Sequence, residues 1–141
     1  MKKVAVVYSS KSGTTKICAE YIAAQIVGSQ LINLNEVIPD ISAYDAVLIG
    51  SGIRMAKMYK PVKKFLAKNS QLLNSKKTIL FLSNFYPETI DKTLEKNLPK
   101  NLVDQLDVVE CGGLAPFTKV TDCAWLKSEE IDASLAEHGL I

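Results

Sequence analysis

Five short apolar runs recur along the chain: Val4 to Tyr8, roughly Leu31 to Leu34, Ala46 to Gly50, Thr78 to Ser83 and Leu106 to Cys111, each bounded by polar or glycine turns. Their apolar character is continuous rather than alternating, which suits strands covered on both faces. Between them the spacing becomes helical. Thr15 to Val27 carries Ile17, Cys18, Tyr21, Ile22 and Ile26, and Lys60 to Asn69 carries Val62, Phe65 and Leu66, with Pro61 suited to a first turn. Pro87 to Asn97 places Ile90 and Leu94 on one helical side, and Leu126 to His138 offers Ile131 and Leu135, with Gly139 as its stop. Strands interleaved with helices predict an α/β fold, a doubly wound five-stranded parallel sheet. The segment Asn35 to Tyr44 contains Pro39 and is too brief for a crossover helix, so this shortened connection between strands 2 and 3 should hold a single turn at most.

Composition narrows the class. The 141 residues, 48% hydrophobic and 23% charged, suit one globular domain over 1–141, with no apolar run of membrane-spanning length. Met1-Lys2-Lys3 leads directly into the first strand, which is too short for a secretory signal, so a cytoplasmic location is expected. Cys18, Cys111 and Cys123 are odd in number, contain no Cys-x-x-Cys and accompany a single histidine, His138, which argues against a disulfide scaffold or a zinc site. Cys18 reads as a small buried residue, Cys111 ends a strand with no activating base in sight, and His138 reads as a solvated helix-terminal residue. The formal net charge is +2. Lys57, Lys60, Lys63, Lys64 and Lys68 cluster, either as a solvated helix face or as a docking surface for an acidic partner. Nucleic-acid binding is not expected, because the basic residues are not interleaved with aromatics and the net charge is small.

The chemistry concentrates after the first strand. Ser9, Ser10, Lys11, Ser12, Gly13, Thr14 and Thr15 form a hydroxyl-rich turn opening a helix, whose first N–H groups and dipole make a site for a phosphate monoester. The hydroxyls add donors, and Gly13 lets the backbone curl around an anion. Ser and Thr also favour helix starts whatever they bind, so a well-capped turn is the plainer alternative. Neither the Walker spacing nor the dinucleotide spacing Gly-x-Gly-x-x-Gly occurs.

What does occur resembles the flavodoxin signature. Val6, Val7 and Tyr8 close the strand, Ser10 opens the loop, Gly13 and Thr15 hold it, and Ala19 and Ile22 form the buried helix face, without a gap. The resemblance implies strand order 2-1-3-4-5, with this loop wrapping the terminal phosphate of FMN. In open parallel sheets ligands sit where the winding reverses, a rule of which flavodoxin is itself the usual illustration. Two further turns should then converge on the cofactor. One holds Ser51, Gly52, Ile53, Arg54, Met55 and Ala56, where Ile53, Met55 or Met58 would lie against a flat ring. The other holds Ser83, Asn84, Phe85 and Tyr86, whose aromatics either face the ring or are ordinary core and rim residues.

Ile53-Arg54 with its surroundings is similar to the flavodoxin-type protoporphyrinogen oxidase branch. That branch usually has glycine where this chain has Ala56, and a long loop beyond the fifth strand that is missing here. The resemblance therefore implies electron transfer through noncovalently bound FMN, with a redox partner protein or a quinone. No side chain is required as acid, base or nucleophile; Arg54 would tune the flavin as a fixed cation or grip an acidic substrate. Two alternatives stand beside this reading: a menaquinone-dependent protoporphyrinogen dehydrogenase-like enzyme of haem biosynthesis, and a flavin-free flavodoxin-like binding module. Receiver domains, the best-known case of the latter, need acidic residues where this chain has Ser9 and Ser10.

Overall fold

The computed structural model describes residues 3–11, 13–54, 57–83, 90–103, 106–114 and 122–141. The first apolar run becomes β1 (Val4–Ser9), buried along its whole length. On one side it pairs in parallel with β2 (Gln30–Asn33), and on the other with β3 (Ala46–Arg54), which pairs with β5 (Lys77–Ser83), which pairs in turn with β6 (Asp107–Glu110). The order β2-β1-β3-β5-β6 is the expected 2-1-3-4-5. One strand was not foreseen: β4 (Lys57–Met58) folds back antiparallel on the end of β3.

Why the runs are continuously apolar is visible in the side-chain directions, since successive residues of a strand point to opposite faces. Ala5 and Val7 of β1, Val47 and Ile49 of β3, and Leu80 and Leu82 of β5 face one layer. There they meet Val62, Phe65, Leu66 and Leu73 of α2 (Lys60–Asn74). Ile90 and Leu94 of α3 (Ile90–Asn97) and Leu102 of α4 (Lys100–Val103) close the same side. Val4, Val6, Tyr8, Leu48, Ile79 and Phe81 face the other layer, made by Cys18, Ala19 and Ile22 of α1 (Thr14–Gln25) with Ile131 and Leu135 of α5 (Ser128–Glu137). Each large side chain buried in this way contributes about 1.5–3 kcal/mol, so both faces of the sheet drive folding.

Element ends follow local chemistry. α2 opens with Pro61 in its first turn and runs to Asn74, five residues beyond the expected Asn69, because Leu73 is still buried against the core. α5 begins with Glu129 and Glu130, which suit the positive end of the helix dipole. It ends where Gly139 takes φ +70° and the Leu140 N–H returns to the Leu135 carbonyl at 2.9 Å. The connection between β2 and β3 contains no helix, but it holds two turns where one at most was expected: Glu36 and Val37 N–H donate to the Asn33 carbonyl, and beyond Pro39 the Tyr44 N–H donates to the Ile41 carbonyl at 3.1 Å.

The expected third strand stopped at Gly50, yet β3 continues through Arg54. Gly52 still pairs with Ser83, after which Ile53 and Arg54 pair with Met58 and Lys57. Non-local pairing overrides the turn preference of Gly50 and Gly52.

Candidate functional site

Three strands end side by side at the carboxyl edge: Ser9 lies opposite Ser51, and Gly52 opposite Ser83. Here the winding reverses, because β1 has β2 on one side and β3 on the other.

The loop after β1 is braced from outside. The Ser9 hydroxyl donates to Asn35 Oδ1 at 2.9 Å, Asn35 Nδ2 donates to the Ser10 carbonyl at 3.3 Å, and Gly13 N–H donates to Ser10 Oγ at 3.0 Å. Gly13 takes φ +94°, a conformation that L side chains rarely adopt, and the space where a Cβ would stand is open. α1 then begins with no side-chain cap from Gly13 and no acid in its first turn, so among the described residues no acid offsets its positive end. The Thr15 side chain is 1% exposed, and its Oγ1 has no hydrogen-bond partner among the described residues. Such a buried orphan costs about 1–3 kcal/mol unless something answers it. An uncapped helix end, a glycine curl and an unanswered buried hydroxyl fit a phosphate monoester.

The other two turns meet this loop through specific contacts. The Ser83 hydroxyl at the end of β5 donates to Thr14 Oγ1 at 2.7 Å, bonding the fourth parallel strand to the first turn of α1. Lys11 Nζ sits 5.0 Å from the centroid of the Tyr59 ring, tying the loop to the start of α2. Ser51 is fully buried, and its hydroxyl is engaged within the β3–β4 hairpin: it donates to the Gly52 carbonyl at 2.8 Å and accepts from Tyr59 N–H at 3.0 Å. Met58 N–H donates to Asn97 Oδ1 at 3.2 Å, and Asn97 Nδ2 donates to the Thr93 carbonyl at 2.7 Å, so α3 holds the hairpin from behind.

Ser9, Ser10, Lys11, Gly13, Thr14, Thr15, Ser51, Gly52, Ile53 and Ser83 are thus gathered at one edge. Ser12, Met55, Ala56, Asn84, Phe85 and Tyr86 lie outside the described residues, as does the side chain of Arg54. Met58, a candidate for contact with a ring, is instead 3% exposed within the α2 core layer, and Ile53 packs on the same cluster. The smallness of Gly50 and Gly52 also has an internal cause. A Cβ on Gly50 would stand 2.1 Å from the Phe81 ring, and one on Gly52 would stand 2.5 Å from the Tyr59 hydroxyl.

Asn35 was missed. It lies just beyond β2, and the only signal for it was its position after a strand that neighbours β1. His138 was misread as solvated: its ring is largely covered, and Nε2 stands 2.9 Å from Asp107 Oδ2. Cys18 is the small buried residue expected from the sequence, whereas Cys111, placed at a strand end where it could approach a ligand, is buried against it. Cys18 and Cys111 are fully buried together, and their shared hydrogen bond, followed by burial, raises the Cys111 thiol well above its ordinary range. A thiol held protonated in this way is a poor nucleophile. Among the described residues no group of His, Cys, Asp and Glu could hold a metal ion, and no helix is long and apolar enough to cross a membrane.

Sheet order, two helical layers and a helix opening at the switch point define the flavodoxin-like class of doubly wound α/β proteins. The chain belongs to the flavodoxin domain family, whose profile matches residues 5–118. No curated protein matches it significantly. Among solved structures, a flavodoxin from the domain Archaea is 25% identical, with TM-score 0.55, over 93% of this chain and 90% of its own. Oxidised Flavodoxin 2 from Bacillus cereus has TM-score 0.64 at 19% identity, over 96% of this chain and 99% of its own. A flavoprotein from Lactobacillus acidophilus NCFM, crystallised in complex with FMN, has TM-score 0.56 at 22% identity, over 78% of this chain and 91% of its own. The last two likenesses concern the fold.

Proposed function

We propose that this chain is a redox flavoprotein that binds FMN noncovalently and passes electrons between partners. The observation that carries the reading is the buried, unanswered Thr15 hydroxyl beneath the uncapped start of α1. Membership of the flavodoxin family supports it, as does the FMN bound to the Lactobacillus acidophilus relative. The loop Ser9 to Thr15 holds the phosphate through backbone N–H groups and hydroxyls, with Asn35 fixing the loop from outside. Ser51 to Ala56 and Ser83 to Tyr86 flank the ring. Bound FMN supplies the one- or two-electron chemistry, and the protein supplies position and electrostatics. Arg54 favours negative charge on the ring or grips an acidic substrate; unchanged midpoint potentials and quinone turnover in Arg54→Ala would remove both roles. The working location is the cytoplasm, and the partner is a redox protein or a quinone. No observation favours a porphyrinogen dehydrogenase or a flavin-free module over this reading.

The visible spectrum of the purified protein, followed by titration with FMN and with riboflavin, tests it. Yellow protein whose FMN affinity falls about tenfold in Thr15→Val, while its weaker riboflavin binding does not change, is the expected result. A colourless protein that takes up no FMN overturns the proposal.

A further inference from the structure

A groove of about 260 Å³ runs beside the first half of α2, floored by Leu34, Pro61 and Phe65, with Ile38 on its lip. Lys60, Lys64 and Lys68 line it, one helical turn apart along a single stripe of α2. All three are exposed, and no described residue forms an ion pair with them. Val37 and Ile38, on the β2–β3 connection, are 55% and 71% exposed. Exposed Val37 and Ile38 beside a recess floored by buried Leu34 and Phe65 leave apolar surface uncovered, and among the described residues no ion pair answers the lysines along it.

The placement of Lys60 carries a second message. It is the first residue of α2, where the helix dipole is positive and a cation is disfavoured, and α2 has no acid in its first turn to compensate. The free protein therefore gives up helix stability to concentrate positive charge at this point. The groove also adjoins the cofactor edge. Leu34 N–H donates to the Tyr8 carbonyl at 2.8 Å, the neighbouring Asn35 braces the β1 loop, and Tyr59, next to Lys60, carries Lys11 over its ring.

We propose that this groove docks a small acidic electron-transfer protein, which inserts one protruding apolar side chain between Leu34 and Phe65 and sets carboxylates against Lys60, Lys64 and Lys68. This deepens the flavoprotein reading and rests on it. Charge complementarity selects an acidic partner, and concavity selects a protein, because a recessed floor is filled by a protruding side chain and not by a flat lipid surface. Asp40 marks the far limit of the stripe. Its carboxyl is held below the ordinary range first by the hydrogen bond from the Ser42 N–H, with Lys68 and Lys76 adding to the shift, and it opposes carboxylates placed beyond Lys68.

The test titrates the full-length protein calorimetrically with a two-iron two-sulfur ferredoxin chosen for its negative net charge. The variants are Ile38→Asp and the triple replacement Lys60→Glu, Lys64→Glu, Lys68→Glu. Expected are binding that weakens about tenfold or more in both variants and on raising NaCl from about 50 to about 500 mM, with FMN uptake unchanged and no loss of Tm in the triple variant. Absence of binding to the wild type, or equal binding by wild type and both variants, overturns the proposal. So does variant-sensitive binding to phosphatidylglycerol vesicles without binding to the ferredoxin, which would assign the groove to a membrane surface. If the protein binds the ferredoxin but no FMN, docking stands and the flavin reading falls alone, since the calorimeter reads association without the cofactor.

Discussion

Thr15→Val separates two effects that most substitutions confound. Removing a buried hydroxyl that no described residue satisfies should leave the apoprotein as stable as wild type, or up to about 1 kcal/mol more stable, while FMN affinity falls; urea melts of both apoproteins check the first half. Gly13→Ala should behave in the opposite way. The space around its Cβ is open, so the cost is that of φ +94° alone, about 1 kcal/mol of stability by thermal denaturation. Ser9 to Thr15 were legible in the sequence because a strand, a run of hydroxyls and a glycine are local signals. Asn35 was not, because its role depends on a contact across twenty-six positions that exists only once β2 lies beside β1.

Between elements, the clearest tie is Tyr21 to Asp132, whose carboxylate oxygens accept from the phenol at 2.8 and 3.0 Å and join α1 to α5. The hydrogen bond to Asp132, ahead of burial, raises the Tyr21 phenol above its ordinary value. A group whose folded-state pKa is raised contributes stability that is complete below its unfolded value, about 10, and is lost as pH rises through the folded value. Tyr21→Phe should therefore cost about 1 kcal/mol near neutral pH, the pair being partly exposed, and the difference from wild type should vanish as pH climbs beyond phenol ionisation; urea melts between neutral and strongly alkaline pH measure it. The ends of β1 and α5 were readable to within one residue because a polar or glycine turn closes each, whereas α5 starts two residues later than its apolar spacing suggested. The length of β3 was not: Ile53 and Arg54 become strand only through pairing with Met58 and Lys57, which no local preference announces.

Taken as one body, the chain carries its fold in the alternation of five apolar runs with helices, and that alternation was enough to give a parallel sheet covered on both faces, while the strand order came only with the resemblance to flavodoxins. Binding that favours the native state adds stability by mass action, so FMN at about 100 times its Kd should add roughly 2.7 kcal/mol and raise the Tm by roughly 8 °C. Differential scanning fluorimetry with and without FMN reads this directly, and riboflavin at the same concentration should give a smaller rise. Composition and charge bounded the class, but they could not show that Lys60, Lys64 and Lys68 border an apolar trough, because Leu34 and Ile38 reach it from another part of the chain.

Gly50 beneath the Phe81 ring bears on how a saturation library of this gene would read. The position would be depleted of larger residues as severely as a cofactor ligand, and a selection for yellow colonies would score it among the flavin contacts. Its intolerance comes from crowding inside the scaffold. Trimming the neighbour at the same time, with Phe81→Leu beside Gly50→Ala, should recover part of the lost colour, a rescue that no true ligand position would show.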